Sequence, residues 1–565
     1  MRKKSLIILF IFFISAQFSF AQFTHADTLR GSNGPARSWW DVLKYDLHVK
    51  FNLEDSSISG FNVIYYRALK NESRMQIDLQ DPMILDSAFL IGYIPLQYDK
   101  YNPEKIATPS QKITAIKKEG NAYFIDLPKN ILEKSTNNLI LYYHGKPRIA
   151  KNAPWDGGVV WAKDKNNYPW ISIACEGLGA SVWYPCKDYL GDKPDSAELH
   201  ITAPSELISV GNGRLRNKID NKNGTTTSSW AVVNSISNYN IIPYIGKYVN
   251  FKEVYNGENG NLDMSYWVLD YNLEKAKTQF TDAPKMMKAF EYWFGPYPFY
   301  KDGYKLVDAP YLGMEHQSNI AYGNGYKNGY NGRDLSQTGW GLKWDFIIVH
   351  ESGHEWFGNN ITAKDIADMW IHESFTNYSE TLFTEYYYGK KAATEYIMGI
   401  RKKIVNDRPI IAAYGVNKEG SGDMYYKGGN MLHTIRQIIN DDDKFRNILR
   451  GLNKTFYHQS VTSKQVEDYI GKNSGKNLSP AILWNKIFDE YLRTTMIPTL
   501  EYKIKNGILS YRWTNVVKGF NMPLKIQLDK QYRFIYPSET FKQIKFNDKN
   551  LKVDDNFYIN TKKVR

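Results

Sequence analysis

Trp344-Asp345-Phe346-Ile347-Ile348-Val349-His350-Glu351-Ser352-Gly353-His354-Glu355-Trp356-Phe357-Gly358 is the stretch from which the rest of the chain can be read. On a helix His350 and His354 lie one turn apart on one face, so both ring nitrogens can reach a single tetrahedral ion at ~2.0–2.1 Å. Glu351 stands beside them, placed to carry protons rather than to ligate. With 10 His among 565 residues, chance yields such a pattern on the order of 0.01 times. The apolar run before His350 and the Trp and Phe after His354 predict a buried helix. Buried imidazoles and a carboxylate need a partner, and a dication supplies one.

A catalytic zinc site takes three protein ligands and keeps a fourth position open. Glu373 is the candidate third ligand, with eighteen residues between it and His354. It lies on the next helical run, residues 368–388, which a turn at residues 358–362 folds back. Glu380 follows two turns later on the same face, where it can orient a ligand histidine. Further upstream, Met286, Met287, Phe290 and Phe294 recur at helical spacing before Gly295, and helical patterns continue to about residue 493. A strand near residues 305–308 precedes Gly313, and a Gly/Tyr/Asn loop over residues 322–332 reads as a mobile surface connection rather than a lid.

Residues 40–250 alternate short Val/Ile/Tyr/Thr runs with turn dipeptides, the pattern of antiparallel sheet. After Pro498 the period returns to two: Leu500, Tyr502 and Ile504 alternate with Lys503 and Lys505 before an Asn506-Gly507 turn, predicting a small β domain. The chain therefore reads as a multidomain α+β protein. Its 42% hydrophobic content is too high for disorder, and no segment is compositionally degenerate.

Arg2, Lys3 and Lys4 precede a largely apolar run over residues 6–18, and Ser19-Phe20-Ala21 forms a small-x-small site, so a signal peptide over residues 1–21 and export to the periplasm or beyond are expected. No later segment reaches the ~18 apolar residues of a membrane span. Those three basic residues account for +3 of the net charge of +13; the remaining basic residues are spread among acidic ones, with no basic block interleaved with aromatics, so no nucleic-acid partner is expected. Cys175 and Cys186 can pair in an exported protein or stay as buried thiols; their spacing leaves both open.

The words around the histidines narrow the reading. His354-Glu355-Trp356-Phe357-Gly358-Asn359 with Ile361-Thr362, and Trp370-Ile371-x-Glu373-x-Phe375, resemble the M1 family of zinc aminopeptidases, whose arrangement is the gluzincin one. Leu312-Gly313-Met314-Glu315-His316 is similar to the family's Gly-x-Met-Glu-Asn motif, Tyr425-Tyr426-Lys427-Gly428 to its Tyr-x-Lys-Gly, and Tyr184-Pro185-Cys186-Lys187-Asp188 to its Phe-Pro-Cys-x-Asp segment. The resemblance covers about residues 40–500. It implies a saddle-like N-terminal β domain over residues 22–248, a thermolysin-like, mostly helical catalytic domain over 249–495 and a C-terminal β domain over 496–565.

The same resemblance implies one zinc per chain on His350, His354 and Glu373, Glu351 as general base, Tyr425 as transition-state tyrosine, and Glu315 with Glu176 holding the substrate's free α-amino group beside Gly313 and Met314. Leu312, His316, His372 and Ser374 depart from the family's words and put the fine geometry of the amine site at issue. The expected activity is removal of N-terminal residues from peptides. The rival readings are a metallo-endopeptidase and an exported β-rich binding protein with an inactive metal site. Oligomeric state and the preferred N-terminal residue stay open.

Overall fold

The computed structural model describes residues 23–91, 110–475 and 482–565; the expected signal peptide lies outside them. The N-terminal part is built on an eight-stranded sheet of β1 (Trp40–Asn52), β2 (Ser57–Ala68), β3 (Ile84–Ile91), β4 (Ser110–Ile113), β5 (Thr136–Gly145), β6 (Ser196–Pro204), β7 (Arg214–Asp220) and β8 (Thr225–Val232). Its spatial order is β7-β8-β6-β1-β2-β5-β3-β4. Neighbouring strands run antiparallel except β1 and β6, which are parallel. The period-two pattern decides which face is covered: Tyr45, Leu47 and Val49 of β1 join the core, while Asp46, His48 and Lys50 take the other face. Smaller sheets of four and three strands complete this half.

A five-stranded sheet carries the chain into the helical part. Its strands are β9 (Tyr248–Gly257), β10 (Gly260–Leu269), β11 (Tyr304–Asp308), β12 (Gly313–Met314) and β13 (Ile320–Tyr322), in the order β9-β10-β11-β13-β12. The short β12 is thus an edge strand. Helix α1 (Asp282–Phe294) buries Met286, Met287, Phe290, Trp293 and Phe294 and stops at Gly295, whose φ of 92° a side chain would resist.

Two helices set the site. α2 (Phe346–Gly353) is buried along its whole length, and Asp345 caps it by accepting hydrogen bonds from the Ile347 and Ile348 amides at 3.0 and 3.3 Å. Such a cap is worth ~1 kcal/mol and fixes where the first turn begins. α3 (Trp370–Arg401) packs against it, with a kink at Gly389 where φ is 85°. The helical run expected over residues 368–388 ends where this kink begins.

The loop over residues 322–332 differs from its expected mobile character. Tyr322 Oη and Asn324 Nδ2 donate to Asp345 at 2.7 and 2.9 Å, so the carboxylate that caps α2 also anchors the loop. At the C-terminal end, β14 (Thr499–Lys505), β15 (Ile508–Thr514), β16 (Lys542–Lys545) and β17 (Asn560–Lys563) form a sheet in the order β16-β15-β14-β17. Leu500, Leu509 and Trp513 belong to the same apolar cluster as residues of α1, α2 and α3, so these strands share that core instead of building their own.

Candidate active site

His350 occupies the last full turn of α2, His354 its C-cap, and Glu373 the first turn of α3. Glu373 Oε2 lies 3.7 Å from His350 Nε2 and 3.5 Å from His354 Nε2. Ligands bonded at ~2.0–2.1 Å around a tetrahedral ion stand ~3.3–3.5 Å apart, so the trio has close to the required spacing. All three side chains are buried, and Glu373 Oε2 has no hydrogen-bond partner. An orphaned, buried carboxylate oxygen facing two imidazole nitrogens fits a dication, which would satisfy all three.

The other nitrogen of each ring is committed. His350 Nδ1 is 2.8 Å from Glu380 Oε1, and Glu380 in turn accepts from Asn377 Nδ2 at 3.1 Å and Tyr396 Oη at 2.6 Å. His354 Nδ1 faces the Phe357 carbonyl at 3.1 Å and Thr376 Oγ1 at 3.2 Å. These partners place each proton on Nδ1 and leave the Nε2 lone pair for the ion.

Glu351 is buried among like charges. Burial, then Glu315, Glu373 and Glu380, push its carboxyl up to about 8 against the opposing pull of His350. A glycine at 313 keeps this acid open to the cleft: a Cβ there would sit 2.9 Å from Glu351 Oε1 and 2.9 Å from Ile347. Tyr425, just before α4 (Tyr426–Ile439), stacks against His350 with centroids 6.1 Å apart. Burial and the surrounding glutamates raise its phenol well above its ordinary value, so it is a hydroxyl donor.

Glu315 follows directly on the edge strand β12 and accepts from Tyr239 Oη at 2.8 Å. Glu315, Glu351 and His354 have polar atoms within 4.8 Å of one another, and so do Glu176, Glu315 and His372. Glu176 Oε1 is buried without a partner, and burial followed by Glu315 and Glu373 raises its carboxyl well above the usual range. A cavity of about 510 Å³ brings together the residues given site roles from the sequence: Glu176, Gly313, Met314, Glu315, His350, Glu351, His354, Glu373, Glu380 and Tyr425.

The four departures separate. His316 turns away, its Nδ1 2.6 Å from Tyr244 Oη, and Ser374 donates to the Met424 carbonyl at 2.7 Å. His372 stands by the Glu176–Glu315 pair, its Nε2 accepting from the Ala363 amide at 2.8 Å, and Leu312 lines the cavity. Cys175 and Cys186 are both free and buried. Spacing had no means of selecting Tyr239, Thr376 or Tyr396, which hold the site from distant points of the chain.

A buried helix with paired histidines, a glutamate from the following helix and a β-rich N-terminal half make a site whose donor set fits a metal ion. More particularly, residues 279–486 match the Peptidase family M1 domain. Probable aminopeptidase 2 of Sulfurisphaera tokodaii is 20% identical over 453 residues, 78% of this chain and 53% of the relative. Leukotriene A-4 hydrolase of Xenopus laevis is 20% identical over 326 residues, 54% of this chain and 49% of the relative. The chain thus spans about half the length of these curated relatives. A crystal structure of a mutant M1 zinc metallopeptidase from Deinococcus radiodurans, bound to a Tyr-Ser-Ala substrate, superposes with a TM-score of 0.66 at 18% identity, covering 83% of this chain and 98% of that one.

Proposed function

We propose that this protein is a zinc-dependent aminopeptidase. One observation carries the choice of exopeptidase over endopeptidase: the buried Glu315 and the half-buried Glu176, whose Oε1 is itself buried, line the same cavity as the metal trio. They would attract a peptide's ammonium and repel its carboxylate, so the enzyme would measure from the amino end. Zinc held by His350, His354 and Glu373 would lower the pKa of a water toward ~7 and polarise the scissile carbonyl.

The chain's own groups supply the rest. Edge strand β12 offers Gly313 and Met314 backbone groups along which an extended peptide can lie. Glu351 accepts the attacking water's proton and returns it to the departing amine. The Tyr425 hydroxyl donates to the carbonyl oxygen as it becomes negative. One ion at this centre suffices, and free-amine peptides are the substrate class. Export to the periplasm or beyond belongs to the same proposal, supported by the basic, apolar and small-x-small pattern of residues 1–21. Among the described residues no helix is long and apolar enough to cross a membrane.

The test compares one peptide with a free and with an acetylated N-terminus. The free peptide should be shortened from its amino end and the acetylated one left intact; equal cleavage of both would eliminate the exopeptidase reading.

A further inference from the structure

A tight turn over residues 175–179 brings Glu176 to the wall of the catalytic cavity. Two backbone bonds close it, from the Leu178 amide to the Glu176 carbonyl at 2.6 Å and from the Gly179 amide to the Cys175 carbonyl at 2.7 Å. Glu176 Oε1 has no hydrogen-bond partner among the described residues, so that oxygen is aimed by the turn and not by a contact of its own. The turn is not packed solidly from behind either. Glu176 also lines a second, smaller cavity of about 50 Å³, which Arg30, Gly31, Gly177, Gly179 and Asn417 border as well. Bonds from other segments must therefore hold the turn in place.

The main one comes from the start of the chain. Arg30, near the end of a short helix at His25–Gly31, donates through Nη2 to the Leu178 carbonyl at 3.0 Å and through Nη1 to the Asp188 carbonyl at 2.8 Å. Its Nη2 also lies 3.3 Å from Asp188 Oδ2. Gln80 Nε2 donates to the same Leu178 carbonyl at 2.8 Å, and Asn417 Nδ2 to the Gly177 carbonyl at 3.1 Å. Gly179, with φ of 97°, leaves room for the guanidinium: a Cβ there would fall 2.0 Å from Arg30 Nη2.

The helix that carries Arg30 is itself seated. Fully buried Arg37 donates through Nη1 to the Arg30 and Ser32 carbonyls at 3.1 and 2.8 Å and pairs with Asp78 at 2.6 Å. Gln76 Nε2 donates to the Leu29 carbonyl at 3.1 Å. Gly31 approaches the next segment so closely that a Cβ would fall 2.1 Å from the Asn417 backbone nitrogen. The guanidinium thus reaches the turn from a fixed base.

We infer that Arg30 is a positioning residue for the amino-end site: through the turn over residues 175–179 it holds Glu176 toward the substrate's ammonium. The inference rests on the reading of Glu176 as a ligand of that ammonium. A planar fork can serve the Leu178 and Asp188 carbonyls at once, which the single ammonium of a lysine reproduces poorly. Because the substrate's ammonium is held in the ground state as well as during bond cleavage, a loosened Glu176 shows mainly in KM.

The test is a double-mutant cycle of Arg30→Met and Glu176→Gln, read as KM and kcat on one free-amine peptide with zinc content measured alongside. Glu176→Gln should raise KM by ~10-fold, and Arg30→Met by ~3- to 10-fold with zinc retained and kcat changed by less than about twofold. In the Glu176→Gln background Arg30→Met should raise KM no further, because a purely structural role would act in both backgrounds alike. An equal rise in both, or no rise in either, overturns the positioning role and leaves the aminopeptidase reading standing. A KM untouched by Glu176→Gln removes the premise itself, whatever Arg30 does. If Arg30→Met does not fold, Arg30→Lys, which keeps the charge and most of the stem but not the fork, takes its place in the cycle with the same outcomes.

Discussion

Glu380 Oε1 stands 2.8 Å from His350 Nδ1, and the same carboxylate accepts from Tyr396 Oη through its other oxygen at 2.6 Å. The contact fixes both the ring orientation and the tautomer of a proposed metal ligand. Glu380→Ala is therefore expected to leave the three ligands in place but weaken zinc affinity ~10- to 100-fold. Competition with a chelator of known affinity measures it; unchanged affinity would show that Glu380 does not position His350.

Glu351 touches no metal ligand as a donor or acceptor among the described hydrogen bonds, yet it sits inside the cavity with them. Glu351→Gln keeps the shape and removes the base. Zinc content should stay at the wild-type level while turnover falls by ~10² to 10⁴. Turnover within a few-fold of wild type would reject the assigned base.

For Tyr425 the expectation is a loss in kcat rather than in KM, because its hydroxyl is proposed to act on charge that appears on the carbonyl oxygen only as water adds to it. Tyr425→Phe should lower kcat ~10²- to 10³-fold with the metal retained. A change confined to KM would instead place the tyrosine in ground-state binding.

Glu315 and Glu176 should behave in the opposite sense. Glu315→Gln removes one charge that would face the substrate's ammonium while its amide oxygen can still accept from Tyr239, so kcat/KM for free-amine peptides should fall by ~10-fold or more. Discrimination against the acetylated peptide should narrow in the same variant. Undiminished discrimination would move recognition of the amino end elsewhere.

What the sequence disclosed and what it withheld follow from distance along the chain. His350 and His354 are four residues apart on one helix, so local geometry alone brings their nitrogens together. Glu373 required only one helix folding back on another. The groups of the proposed amine site come from Glu176, Tyr239 and Glu315, three segments whose meeting depends on how the N-terminal sheets pack against β12. No periodicity encodes that. The loop over residues 322–332 carries the Gly and Asn content of a mobile connection, but Asn324 and Tyr322 spend their polar groups on the buried Asp345, a partner that composition cannot reveal.

The last prediction concerns acid stability and His433 on α4. Its Nδ1 faces Tyr378 Oη at 3.0 Å and its Nε2 faces Asn556 Oδ1 at 2.9 Å, so the neutral ring accepts from one and donates to the other. Burial, reinforced by the nearby Arg436 and Arg401 charges and opposed by Asn556 and Asp442, lowers its pKa from 6.5 to about 3. Between these two values the unfolded chain binds the proton and the folded one does not. The stability contribution is thus complete above pH ~6.5 and declines as the pH falls toward ~3, by about 2 kcal/mol at pH ~5. Glutamine at this position can both donate and accept without titrating. Urea unfolding of wild type and His433→Gln at neutral pH and near pH ~5 isolates this group, since every other titrating residue is common to the two proteins. The variant should lose about 2 kcal/mol less on acidification; parallel losses would mean that His433 already takes up its proton in the folded state.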